Sequence, residues 1–137
     1  MQELIKEIFQ NGKVIAVIGL KDKEAEPAYK VPHYMSSMGY KIYPVNPTRI
    51  GKKFLGEDFV SKVTVLKVPV DIIDIFRQPK FLTEHAKEIL FMKPLPKYVW
   101  FQLGIRNDEA AEMLEKAGIK VVQNRCIMVE HTRQFKV

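Results

Sequence analysis

Short runs rich in Val and Ile alternate along this chain with stretches whose apolar residues recur at helical spacing. Strands that read as continuous apolar runs, rather than alternating with polar residues, are buried on both faces; few arrangements besides a parallel sheet covered by helices satisfy that. The runs are "VIAVIG" (14–19), "KIYPVN" (41–46), "VDIIDIF" (70–76), "YVWFQL" (98–103) and "IKVVQN" (119–124). Each is about one strand long. The segment "VTVLKV" (63–68) reads equally as a short strand or an extended connection.

The intervening stretches supply the helices. "MQELIKEIFQNG" is amphipathic, with Leu4, Ile5, Ile8 and Phe9 on one face. Val31, Tyr34, Met35 and Met38 recur at spacings of three and four before Gly39, and Pro27 and Pro32 predict a late start for this helix. Leu82, Ala86, Ile89 and Leu90 follow Pro79, and a further helix starts at an Asn107 cap, buries Ala110, Met113, Leu114 and Ala117, and stops at Gly118. No repeat, low-complexity tract or Gly/Ser-rich linker interrupts the pattern. The whole chain, 1–137, reads as one α/β domain: a three-layer, doubly wound, Rossmann-like fold with a mainly parallel sheet of about five strands.

Composition narrows the function classes. A chain of 137 residues has room for one core, and no apolar run approaches the roughly 20 residues that cross a bilayer. The amino terminus lacks the continuous apolar segment of a signal peptide, and a single cysteine, Cys126, excludes an internal disulfide; both point to the cytoplasm. The net charge of +6 favours an anionic partner. The lysines are scattered, with no Arg-rich run or aromatic-basic motif, so a phosphorylated small molecule is expected and nucleic acid is not.

In an open parallel sheet, ligands bind beyond the carboxyl ends of the strands where strand order reverses. The candidates are therefore the loops "GLKDKEAEPAYK", "NPTRIGKK", "RQP", "GIRND" and "NRC". Gly19 is the lone glycine of the first, where a dinucleotide fingerprint carries G-x-G-x-x-G, and the second strand ends in Pro44, Val45, Asn46 and Pro47 rather than in an acidic residue. NAD is thereby disfavoured. The Gly-Lys-Ser/Thr ending of a nucleotide-hydrolysing loop is missing too. His33, His85 and His131 show no metal-ligand spacing. His85 is expected at a surface or between helices, Cys126 in the core, and Asp71 and Asp74 at a strand face or end. His131 follows Glu130, which offers a carboxylate-oriented general base.

Taken together, "VIAVIGL", "YKIYPVNP", "VDIIDIFRQP", "VWFQLGIRNDEAA" and "VVQNRCIMVEHTR" resemble the small stand-alone CoA-binding proteins, in order and spacing, over almost the whole chain. Those proteins are similar to the CoA-binding domain of the succinyl-CoA synthetase alpha subunit. The resemblance implies coenzyme A or an acyl-CoA across the carboxyl edge of the sheet. It places Gly19, Leu20 and Lys21 at the phosphate and ribose, Lys30 near the start of the next helix, and Val45, Asn46, Pro47 and Arg49 beside the nucleotide. Phe76 and Arg77 would close the third-strand side, with Gln102 and Gly104 opposite.

The family's first loop reads G-L-S and then R-P-S. Here Lys21 replaces the first serine, Glu26 the arginine and Ala28 the second serine, so two hydroxyls and one cation give way to Lys21 and Lys23. The synthetase also has a second domain with a phosphorylated histidine and a nucleotide-binding partner subunit, neither of which this chain carries. The expectation is thus a non-catalytic binding module, with a homodimer through Met128 and Val129 as a possible assembly. Two alternatives stay open: an enzyme acting on a CoA thioester or CoA disulfide through Cys126 or His131, and a regulatory interaction module with weakened CoA binding.

Overall fold

The apolar runs pair side by side. In a computed structural model that describes residues 1–136, strands β1 (Val14–Ile18), β2 (Lys41–Val45), β5 (Ile72–Ile75), β6 (Tyr98–Phe101) and β7 (Lys120–Val122) form one parallel sheet in the order β2-β1-β5-β6-β7. β1 is paired on both sides. Ile15 lies opposite Ile42 on one side and Ile72 on the other, and Ile18 opposite Val45 and Ile75. A two-stranded antiparallel hairpin, β3 (Lys53–Phe54) and β4 (Glu57–Asp58), forms a separate sheet packed beside β2, with Phe54 in the core, and turns through Leu55 and Gly56, both at positive φ.

Helices cover both faces. α1 (Gln2–Asn11), α2 (Pro27–Ser37) and α5 (Ile127–Phe135) bury Ile5, Ile8, Val31, Met35 and Ile127 against Ile15, Val17, Ile72, Trp100 and Val122. α3 (Leu82–Ile89) and α4 (Asp108–Lys116) pack Leu82, Ala86, Ile89, Ala110 and Leu114 on Ala16, Ile18, Ile73, Val99 and Phe101. Alternate residues of each strand thus go to opposite cores, which is why the strands read as unbroken apolar runs. Asp74 is the exception. It sits at mid-sheet between Val17 and Trp100, 1% exposed, and its Oδ1 has no hydrogen-bond partner.

Three sequence expectations change. α2 begins at Pro27 rather than late and contains Pro32. Proline at the first helical position is pre-organised, while Pro32 has no N–H to give the carbonyl of Ala28. The Lys21 N–H donates to that carbonyl instead, at 3.1 Å. Second, "VTVLKV" is not a strand: Val63–Val65 forms a 3-10 turn with Val63 in the core. Just before it, Val60 makes a single parallel bridge with Val45, which carries Ser61 and Lys62 to the carboxyl edge. Third, strand β6 ends at Phe101, because Gln102 turns inward; its Oε1 accepts the Ile127 N–H at 3.1 Å and caps α5.

Candidate functional site

From β1 the chain goes to β2 on one side and then returns past β1 to β5 on the other, so strand order reverses between β1 and β5. The loops after these two strands part there and open a crevice. Gly19 makes the geometry possible. Its φ is +84°, and a Cβ on it would lie 2.4 Å from the carbonyl oxygen of Phe76. The glycine lets the ends of β1 and β5 touch, a close approach of backbone to backbone.

Two clefts meet at this point. The first, about 460 Å³, runs from Val45, Asn46, Pro47 and Thr48 past Gly19 and Lys21 to Ser61, Lys62, Phe81, His85 and Glu88. The second, about 500 Å³, is bounded by Glu26, Pro27, Ala28, Pro79, Gly104 and Ile105. Lys21, Phe76, Arg77 and Gln78 line both. Two cations therefore stand at the junction of a continuous trough.

Of the residues expected at the site, Gly19, Lys21, Val45, Asn46, Pro47, Phe76, Arg77 and Gly104 line these clefts. Four do not. Leu20 is fully buried in the core, and Gln102, 4% exposed, is committed to capping α5. Lys30 lies on the exposed side of α2, beside Glu24, Tyr29 and His33. Arg49 is one residue beyond the wall. Asn46 faces the cleft but its polar atoms are used internally: Nδ2 donates to the Leu20 carbonyl at 3.0 Å, and Oδ1 accepts from the Thr48 N–H and hydroxyl.

The charges are largely paired. Arg49 Nε donates to Asp22 Oδ1 at 2.7 Å and Lys52 Nζ to Asp22 Oδ2 at 2.5 Å; these two cations hold the Asp22 carboxyl well below its usual range. Lys21 Nζ is 3.3 Å from Glu26. Among the described residues, Lys62 and Arg77 have no carboxylate at ion-pair distance, and the Arg77 guanidinium lies over the Phe81 ring at 4.4 Å from its centroid.

His85 departs from expectation. It turns into the first cleft with Nδ1 3.1 Å from Glu88 Oε1, and burial, with the nearby Arg77 guanidinium adding to it, lowers its pKa against the raising effect of Glu88. Lys62 and His85 had no sequence signal as site residues, since the bridge at Val60 and the packing of α3 bring them in.

The other chemical candidates lie elsewhere. His131 is enclosed by Phe9, Tyr34, Tyr40 and Phe135, with Nδ1 2.9 Å from the Tyr34 hydroxyl; burial lowers its pKa. It is not oriented by Glu130. That carboxylate, 4% exposed, takes Arg125 and Arg133 instead. Cys126 is half-buried at the amino end of α5, packed against the edge of the core, and it also lines a separate cleft with Leu103, Arg106 and Arg125. Among the described residues no group of three His, Cys, Asp or Glu side chains could hold a metal ion, and no helix is long and apolar enough to cross a membrane.

A doubly wound parallel sheet with a cation-lined trough at its switch point defines an α/β ligand-binding domain of the Rossmann-like class. The chain belongs to the CoA binding domain family, whose sequence model matches residues 13–132. It is 39% identical over 127 residues to the Bacillus subtilis protein YneT, covering 93% of this chain and 91% of that one. The solved structure of a Thermus thermophilus protein, 41% identical, superposes with a TM-score of 0.91 over 97% of this chain and 98% of its own. An acetyl-coenzyme A synthetase of Candidatus Korarchaeum cryptofilum shares the fold at 19% identity and a TM-score of 0.71, matching 86% of this chain and 27% of that larger one.

Proposed function

We propose that the protein binds coenzyme A or an acyl-CoA along the carboxyl edge of its sheet, as a binding module without turnover of its own. The observation that carries this reading is the pair of clefts joined at Lys21 and Arg77. Coenzyme A is a long ligand with a diphosphate between a nucleotide and an apolar pantetheine arm. Cations at the junction fit the diphosphate. The first cleft then takes the nucleotide against Val45, Pro47 and Phe81, and the second takes the arm along Pro27, Ala28, Pro79 and Ile105, over Gly104, which has no side chain to block it. Lys62 and Arg77, free of carboxylate partners, meet the phosphates without breaking an ion pair. Cys126 and His131, the residues a thioester or disulfide chemistry would have used, line neither cleft.

Calorimetric titration with CoA, dephospho-CoA and acetyl-CoA tests the proposal. R77Q is expected to weaken all three by about tenfold, the worth of one charge-assisted hydrogen bond. No heat from any of the three ligands up to millimolar concentration overturns it.

A further inference from the structure

The first loop and the loop after β2 are stitched together by a chain of polar contacts that ends on Asp22. Leu20 and Asn46 form its inner link, Asn46 holds Thr48, and Arg49 Nη1 donates to the Thr48 hydroxyl at 2.5 Å. Arg49 then reaches Asp22, whose second oxygen takes Lys52. Thr48 lines the first cleft, so Arg49 and Lys52 stand immediately behind its wall. The side chains of Asp22 and Arg49 remain 29% and 23% exposed, open enough for exchange of partners.

The charges do not balance. Two cations share one carboxylate, which leaves a surplus of one positive charge. A phosphomonoester carries close to two negative charges and offers three acceptor oxygens, so it matches the pair better than a carboxylate does. We infer that Asp22 is an internal stand-in for a phosphomonoester: it holds Arg49 and Lys52 in the free protein, yields them to the 3′-phosphate of the bound ligand, and thereby sets how strongly that phosphate is preferred. The inference rests on the CoA reading above. It also explains why Arg49 lies outside the cleft, since the carboxylate draws it back from the wall.

The test is the ratio of affinities for CoA and dephospho-CoA, ligands that differ only in the 3′-phosphate, measured by calorimetry at one ionic strength in wild type, D22N and R49Q. D22N is expected to widen the ratio by about fivefold through tighter CoA binding, with dephospho-CoA unmoved, as expected for removal of one competing surface carboxylate. R49Q is expected to narrow the ratio, and it gives an independent reading where D22N does not fold. A ratio unchanged in D22N, or in R49Q, overturns the role of Asp22 while leaving the CoA site standing. No binding of either ligand by any of the proteins overturns both.

Discussion

Asp74 carries a carboxyl group at mid-sheet, with one oxygen buried and unpartnered. Burial pushes its pKa well above the usual carboxylate range. The folded protein keeps a proton that the unfolded chain releases above about pH 4, so the unfolded state binds fewer protons and stability falls as pH rises from there, until the buried group itself ionises. D74N cannot ionise. Denaturant titrations from pH 4 to pH 7 are therefore expected to show the variant gaining on the wild type as pH increases, and parallel stability curves would refute a protonated Asp74. This residue was legible as a strand position but not as a buried acid, because a carboxylate within Val and Ile looks the same at a strand end as in its middle. His85 was hidden for a related reason: a helix pattern shows which residues face a core, and not which of the others a cleft reaches.

At the scale of elements, α2 and the first loop form one unit. Pro32 leaves the Ala28 carbonyl open, and the Lys21 amide fills it. P32A restores a helical donor that competes for the same carbonyl. The variant is expected to gain about 1–2 kcal/mol in stability, part of the interior proline penalty, while CoA binding weakens severalfold as the loop loosens. Unfolding curves and calorimetry on the same preparation check the split, and an unaltered affinity would show that the Lys21 contact does not hold the loop. Helices α1 and α3 were readable from spacing, and α4 from spacing and its Asn107 cap, since each buries an ordinary apolar stripe. α5 was not foreseen, because two of its three buried residues are Glu130 and His131, and a helix that hides a charge and an imidazole lacks the periodic signal. The β3–β4 hairpin escaped for want of length, with two residues to a strand.

For the molecule as a whole, parallel strands send every candidate loop to one edge, and this is why four of the five loops chosen from the sequence contribute to the trough, while "NRC" lines a separate cleft. What the rule does not supply is a contribution such as Lys62, which comes from the middle of the long β2–β5 connection. Hydrogen exchange with and without CoA tests the arrangement globally. Protection is expected at 20–23, 48–49, 61–63, 77–78 and 104–105, and none at the amino edge around Gly12 and Gly39; uniform protection, or protection confined to the amino edge, would contradict it.

The contact of Gly19 with the Phe76 carbonyl has one more consequence. Where the two strands touch, the floor of the trough is main chain, so side-chain substitution can do little to reshape it at that point. New ligand preferences, whether arising by divergence among relatives or by engineering, fall instead on the rim, at Lys21, Lys62, Arg77 and His85, and on the Asp22–Arg49 pair behind it, while the sheet beneath is spared.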